Sequence, residues 1–157
     1  MKQIIDKLAL IMATWFGSGF SPKAPGTVGS ITALPFLWLL SNLEYSSLIE
    51  PTIIASIVTI LALWSTARVE KNWGLHDDPR IVADEVAGMT AALIWFPFDL
   101  KHAVSGLVLF RILDIWKPGP IGYIDEQVPG AAGTVLDDVL AGLVAASVLY
   151  LLFHHQY

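Results

Sequence analysis

The 157-residue chain contains no cysteine. That removes disulfides, zinc–thiolate centres and any thiol nucleophile, and it is compatible with a site that faces the cytoplasm. Charge is also scarce. Asp, Glu, Lys and Arg make up 15% of the residues, against about a quarter in an average soluble chain. With 55% of residues hydrophobic, too little polar surface remains to cover a freely soluble globule, and contact with a bilayer is expected. Positive charge is the scarcer sign: the net is −5, and ten of the fourteen acids lie between Asp77 and Asp138. A nucleic-acid partner would need a basic stripe, so none is expected. A divalent cation suits the acids better. No G-x-x-x-x-G-K-[ST] loop occurs anywhere in the chain. Nor is a cleavable signal peptide evident, because the apolar run Leu8–Phe16 is short and no small-x-small site follows it.

What is present is apolar sequence in long pieces. The uncharged windows are Ala24–Leu43, Pro51–Ala67, Val86–Phe98 and Val139–Tyr157. A spanning helix needs about 20 apolar residues, so Thr32–Leu43, Pro51–Ala67 and Val139–Phe153 are borderline and Val86–Phe98 is short. The expected fold is all-α: a compact, hydrophobic bundle of about six helices in a single domain over residues 1–157, membrane-associated or membrane-embedded. A soluble bundle with helices buried all round is the competing reading.

Local signals place the elements. Residues Ile4–Trp15 read as a short helix. Glu50 and Pro51 open a long one to about Trp73, with Trp64 and Trp73 as interface anchors and Arg68, Glu70 and Lys71 as its solvated end. Asp78 and Pro79 read as N-cap and first residue of the next helix. Ala103–Trp116 forms another, stopped by Pro118 and Pro120. Tyr123–Gln127 reads as a loop, and Thr134 as the cap of a last helix from near Val135.

Two acidic pairs recur in the same setting. Asp84 and Glu85 precede an apolar run, with Gly88 four residues after Asp84; Asp137 and Asp138 precede another, with Gly142 four after Asp138. Each puts a carboxylate beside a bare strip of backbone against which a second helix can pack closely. Helix capping is the plain alternative for any acidic pair in a first turn. Acids next to apolar runs are costly to bury unless they share a cation, and hard oxygen ligands without Cys or clustered His favour Mg²⁺ or Mn²⁺. His76, His102 and His154–His155 read as surface residues. Arg111, Asp114 and Lys117, three apart, line one edge of their helix. The stretch Gly17–Ser30, with Lys23, the hydroxyls of Ser21, Thr27 and Ser30, and a helix start behind it, reads as an anion cradle or as a flexible connector. Asp125 is a weaker candidate.

Three blocks, GSGFSPKAPGTVGS at Gly17–Ser30, IVADEVAG at Ile81–Gly88, and FRILDIWKPGPI at Phe110–Ile121 running on to GTVLDDVLAG at Gly133–Gly142, resemble the phosphatidylglycerophosphatase A family over nearly the whole chain. The resemblance implies a small, all-helical, Mg²⁺-dependent phosphatase that converts phosphatidylglycerophosphate to phosphatidylglycerol at the cytoplasmic side of the bacterial inner membrane. It puts Asp84, Glu85, Asp137 and Asp138 on the family's acidic motifs, as metal ligands, with Asp114 as a further catalytic acid. Lys23, Thr27, Arg111 and Lys117 are then the phosphate-binding groups.

The residue inventory supports that chemistry. Phosphomonoester hydrolysis requires phosphoryl oxygens to be neutralised and water to be positioned. A metal on the acidic pairs can lower the pKa of a bound water, while Arg111 and Lys117 can grip oxygens. The chain lacks a Cys-x₅-Arg nucleophile, a D-x-D aspartyl-phosphate motif and the Arg/His pairs of a histidine-nucleophile lipid phosphatase. A non-catalytic membrane protein using its acids for ion binding or transport is the alternative.

Overall fold

The structure, a computed structural model, describes residues 2–153, so His154 and His155 lie outside the described residues. It is all-α: α1 (Lys2–Ala13), a 3₁₀ turn (Ser18–Phe20), α2 (Pro25–Ser41), α3 (Ile49–Trp73), α4 (Ala83–Leu93), α5 (Leu100–Trp116), α6 (Pro120–Gln127) and α7 (Ala131–Phe153). The described residues form seven helices rather than about six, because Pro120 at N1 starts a short helix in the segment expected to be a loop.

Three helices start elsewhere than their strongest local signals suggest. Pro25 at N1 begins α2 six residues ahead of the apolar run at Ile31, so the last six residues of the expected cradle loop are helix. Asp78 does not cap α4. Its Oδ1 accepts from the Arg80 backbone N–H at 3.0 Å and the guanidinium closes on both oxygens at 2.7 Å, so the chain turns once more before Ala83. Arg80 in turn stacks 4.2 Å over the ring of Trp73. The last helix begins at Ala131, ahead of Thr134.

Helix α4 is the axis of the molecule. Every residue in it except Glu85 is buried, which explains the short uncharged window at Val86–Phe98: it is a core helix, too short to cross a bilayer. Packed on it are α7, α3, α2 and α5. Phe110, Met89, Val86, Ile121 and Leu149 form the main core. Among the described residues two helices are long and apolar enough to cross a membrane, α3 and α7. At ~1.5 Å per residue they run to ~37 and ~34 Å, longer than a hydrocarbon core of ~30 Å. Outward from α3 point Ile53, Ile57 and Ile60, all exposed. At its other end Arg68 Nε bonds Asp6 Oδ1 at 2.7 Å and ties α1 to α3. Arg68 is therefore a tertiary clamp rather than a solvated end.

Candidate active site

The site forms where α4 and α7 cross. A Cβ on Gly142 would overlap the carbonyl oxygen of Gly88, and one on Gly88 would meet the Phe110 ring and the carbonyl of Asp138. Only glycine lets the two backbones come this close. The crossing carries Asp138, one turn before Gly142, to the start of α4, where Asp84 and Glu85 stand one turn before Gly88. A ligand oxygen from each of Asp84, Glu85 and Asp138 then lies within 4.8 Å of the other two.

Around this trio the remaining charges fall into two sets. Arg111, from α5, places Nη1 2.5 Å from Asp114 Oδ2 and 3.6 Å from Glu85 Oε1, and reaches 3.5 Å to Ser30 Oγ on α2. Asp114 approaches Asp138 as well. Gly26, in the first turn of α2, lies so close to Glu85 Oε1 that a side chain there would collide with it. The second set is on the flank. Lys117 ends α5 with a left-handed backbone, φ 48°, which swings its ammonium away from Arg111. It meets Asp137 Oδ2 at 2.7 Å and Asp125 Oδ1 at 2.5 Å.

The expected edge of Arg111, Asp114 and Lys117 is thus divided: the first two serve the trio and the third leaves it. The Asp137–Asp138 pair divides too. Successive helical residues point ~100° apart, so Asp138 enters the crossing while Asp137 turns toward Lys117. Thr27 is half-buried beside Arg111. Lys23 lies exposed on the loop before α2. Two residues that sequence reasoning did not assign to the site are part of the arrangement: Ser30, read only as one hydroxyl of the cradle, touches Arg111, and Asp125, ranked low, holds Lys117. The i+3 step from Thr27 to Ser30 is the signal that puts both on one face of α2.

Electrostatically the trio is short of positive charge. Burial pushes the Asp84 carboxyl well above the ordinary range, and the neighbouring Glu85 adds to the shift. Burial raises Glu85 too, with Asp84 and Arg111 acting in the opposite direction. Four carboxylates, counting Asp114, face one guanidinium. Glu85 Oε2 and Arg111 Nε are buried with no partner. An orphaned carboxylate oxygen inside an all-oxygen donor set is what a hard divalent cation would satisfy, so the residues fit such an ion.

An all-helical protein that gathers oxygen donors able to hold a cation beside a guanidinium has groups suited to a phosphate ester. The family model for phosphatidylglycerophosphatase A matches residues 11–153, and the chain belongs to that family. It is 38% identical over 146 residues to phosphatidylglycerophosphatase A of Escherichia coli (strain K12), covering 92% of this chain and 83% of that protein. The corresponding Haemophilus influenzae protein is 34% identical over 143 residues, covering 89% and 85%. A putative phosphatidylinositol-3-phosphatase of Bacteroides thetaiotaomicron is 35% identical over 142 residues, covering 87% of each chain. No solved structure matches. Family membership makes the chain a phosphatase of phospholipid metabolism, an enzyme rather than a non-catalytic ion-binding module.

Proposed function

We propose that the chain hydrolyses phosphatidylglycerophosphate to phosphatidylglycerol and inorganic phosphate, with Mg²⁺ held by Asp84, Glu85 and Asp138. The convergence of three carboxylates from two helices beside Arg111 carries this reading. The reaction adds water across one P–O bond: the water oxygen joins phosphorus, and the glycerol oxygen leaves as an alcohol. When bound, the ion would neutralise phosphoryl oxygens and make water a better nucleophile.

The chain's own residues do the rest. Arg111 offers its fork to the phosphoryl oxygens and is aimed by Asp114 and Ser30. The amides of Gly26 and Thr27 precede the first helical bond of α2, from Val28 to Ala24, and add a donor edge next to Arg111. Asp137 acts through Lys117, fixing an ammonium at the rim with help from Asp125. Lys23, exposed on the loop that leads into α2, adds positive charge that attracts the anionic headgroup. The site then faces the cytoplasm, at the surface of the bacterial inner membrane.

The test is phosphate release by purified protein in detergent. Release from phosphatidylglycerophosphate with Mg²⁺, lost in EDTA and restored by Mg²⁺, is expected; equal release in EDTA would refute the metal's role. Running phosphatidylinositol 3-phosphate in parallel decides the headgroup, and the expected preference is for phosphatidylglycerophosphate.

A further inference from the structure

Helices α2 and α5 lean on each other only lightly, and two hollows open along their seam. The first, about 520 Å³, begins at Thr27 and Arg111 and is walled by Val108, Ile112, Ile115 and Trp116. The second, about 550 Å³, lies farther from the site, between Leu34 and Trp38 of α2 and Phe98 and Leu100 at the start of α5. Helical spacing makes these one track. Thr27, Leu34 and Trp38 fall on one face of α2, at steps of seven and four, and Leu100, Val104, Leu107 and Arg111 fall on one face of α5, at steps of four, three and four. The walls are mostly apolar and open, with the Asp99 carboxylate at the rim of the far hollow: Val104, Val108 and Ile112 are about half exposed, and Leu100 is 80% exposed.

We infer that this seam binds an acyl chain of the lipid whose phosphate is held at Arg111, an inference that rests on the function proposed above. Three observations converge on that occupant. Arg111 belongs both to the carboxylate site and to the mouth of the seam, so a molecule with an anionic head and an apolar tail meets both without a gap. From Arg111 the seam runs back along α5, away from the carboxylate site, to the apolar side chains of Leu34, Trp38 and Phe98, with Asp99 at its far rim. The eleven helical steps from Arg111 to Leu100 span ~16 Å at ~1.5 Å per residue, close to half of a ~30 Å hydrocarbon core. One leaflet's depth of chain fits. Trp116, 75% exposed at the mouth, sits where an indole anchors at the headgroup level. The seam makes substrate choice depend on the tail as well as on the phosphate. A soluble phosphomonoester would reach Arg111 without that binding energy.

Two measurements on the full-length protein in detergent test this. In the first, kinetics are compared for phosphatidylglycerophosphate with short and with long acyl chains, in wild type, Val108→Trp and Ile53→Trp. Val108 stands in the first hollow, and Ile53 faces outward on α3. Val108→Trp should raise KM for the long-chain lipid by about tenfold or more, the loss expected when about two buried methylenes are displaced, and flatten the chain-length profile. Ile53→Trp should keep the wild-type profile. In the second, a lipid phosphomonoester with a photoreactive group at the chain terminus is cross-linked and mapped. Labels on Leu34, Trp38 and Leu100 are expected. An unchanged profile in Val108→Trp, or labels spread evenly over α1 and α3, would overturn the track. Labelling of the seam by a protein that releases no phosphate from any lipid would leave the track standing and overturn the hydrolytic reading instead.

Discussion

Gly142 rests against the carbonyl oxygen of Gly88, with no room for a methyl group between α7 and α4. This contact sets the spacing of Asp138 from Asp84 and Glu85. Because the obstructing atom is backbone, Gly142→Ala must push the helices apart rather than rotate a side chain. The expected cost is about 1–3 kcal/mol of stability, read by unfolding in detergent. Phosphate release should fall further than that loss of stability explains, since the carboxylates separate.

Lys117 has two partners of unequal standing. Asp137 is almost wholly buried, whereas Asp125 is partly exposed. Lys117→Met strands a buried carboxylate and should cost about 3 kcal/mol or more. Asp125→Asn removes only a solvent-screened contact, so it should cost less than about 1 kcal/mol. Equal effects in a denaturation series would mean that the two contacts do not differ in this way.

Arg111 touches Asp114, Glu85 and Ser30 at once. Lysine carries the charge but not the planar fork, so Arg111→Lys should keep the fold and lower kcat/KM about 100-fold, in line with removing a single oxyanion-stabilising donor. The melting temperature should move little.

Acid stability should depend on Asp78. The Arg80 side chain holds this carboxyl below its ordinary value of 3.8, against the opposing effect of burial. A depressed carboxylate contributes stability above its unfolded pKa and loses it as pH falls through the folded one. Wild type should therefore lose more of its melting temperature than Asp78→Asn as pH drops below about 4. Parallel curves would show that the Asp78–Arg80 pair adds nothing to stability.

Much of this arrangement is legible in the chain because the spacings that made it are local. Asp84 with Gly88, and Asp138 with Gly142, are i to i+4 pairs, so helical geometry alone puts each acid beside a place of close approach. The two pairs are not equivalent, and the same rule says why: Asp137 has no glycine four residues on, and its face of α7 turns toward Lys117. Lys117 itself was harder to place. Its i+3 relation to Asp114 suggests a shared edge, but Pro118 ends the helix, and the left-handed backbone at Lys117 redirects the side chain. Helix starts at Pro25 and Pro120 were blurred by glycines, whose low propensity argues for loops until tertiary packing overrides it. The acyl seam has no sequence signature beyond exposed apolar residues on two helices; which helices are neighbours is a tertiary fact.

The central claim is that Asp84, Glu85 and Asp138 hold one hard divalent ion, and the most direct test is binding rather than turnover. Mn²⁺ titrated into metal-free protein in detergent, followed by electron paramagnetic resonance, should fill one site per chain. Asp138→Asn should weaken that site by about tenfold or more while leaving the helical signal intact. Mn²⁺ binding that is unchanged in Asp138→Asn, in a protein that still releases phosphate at the wild-type rate, would contradict the account.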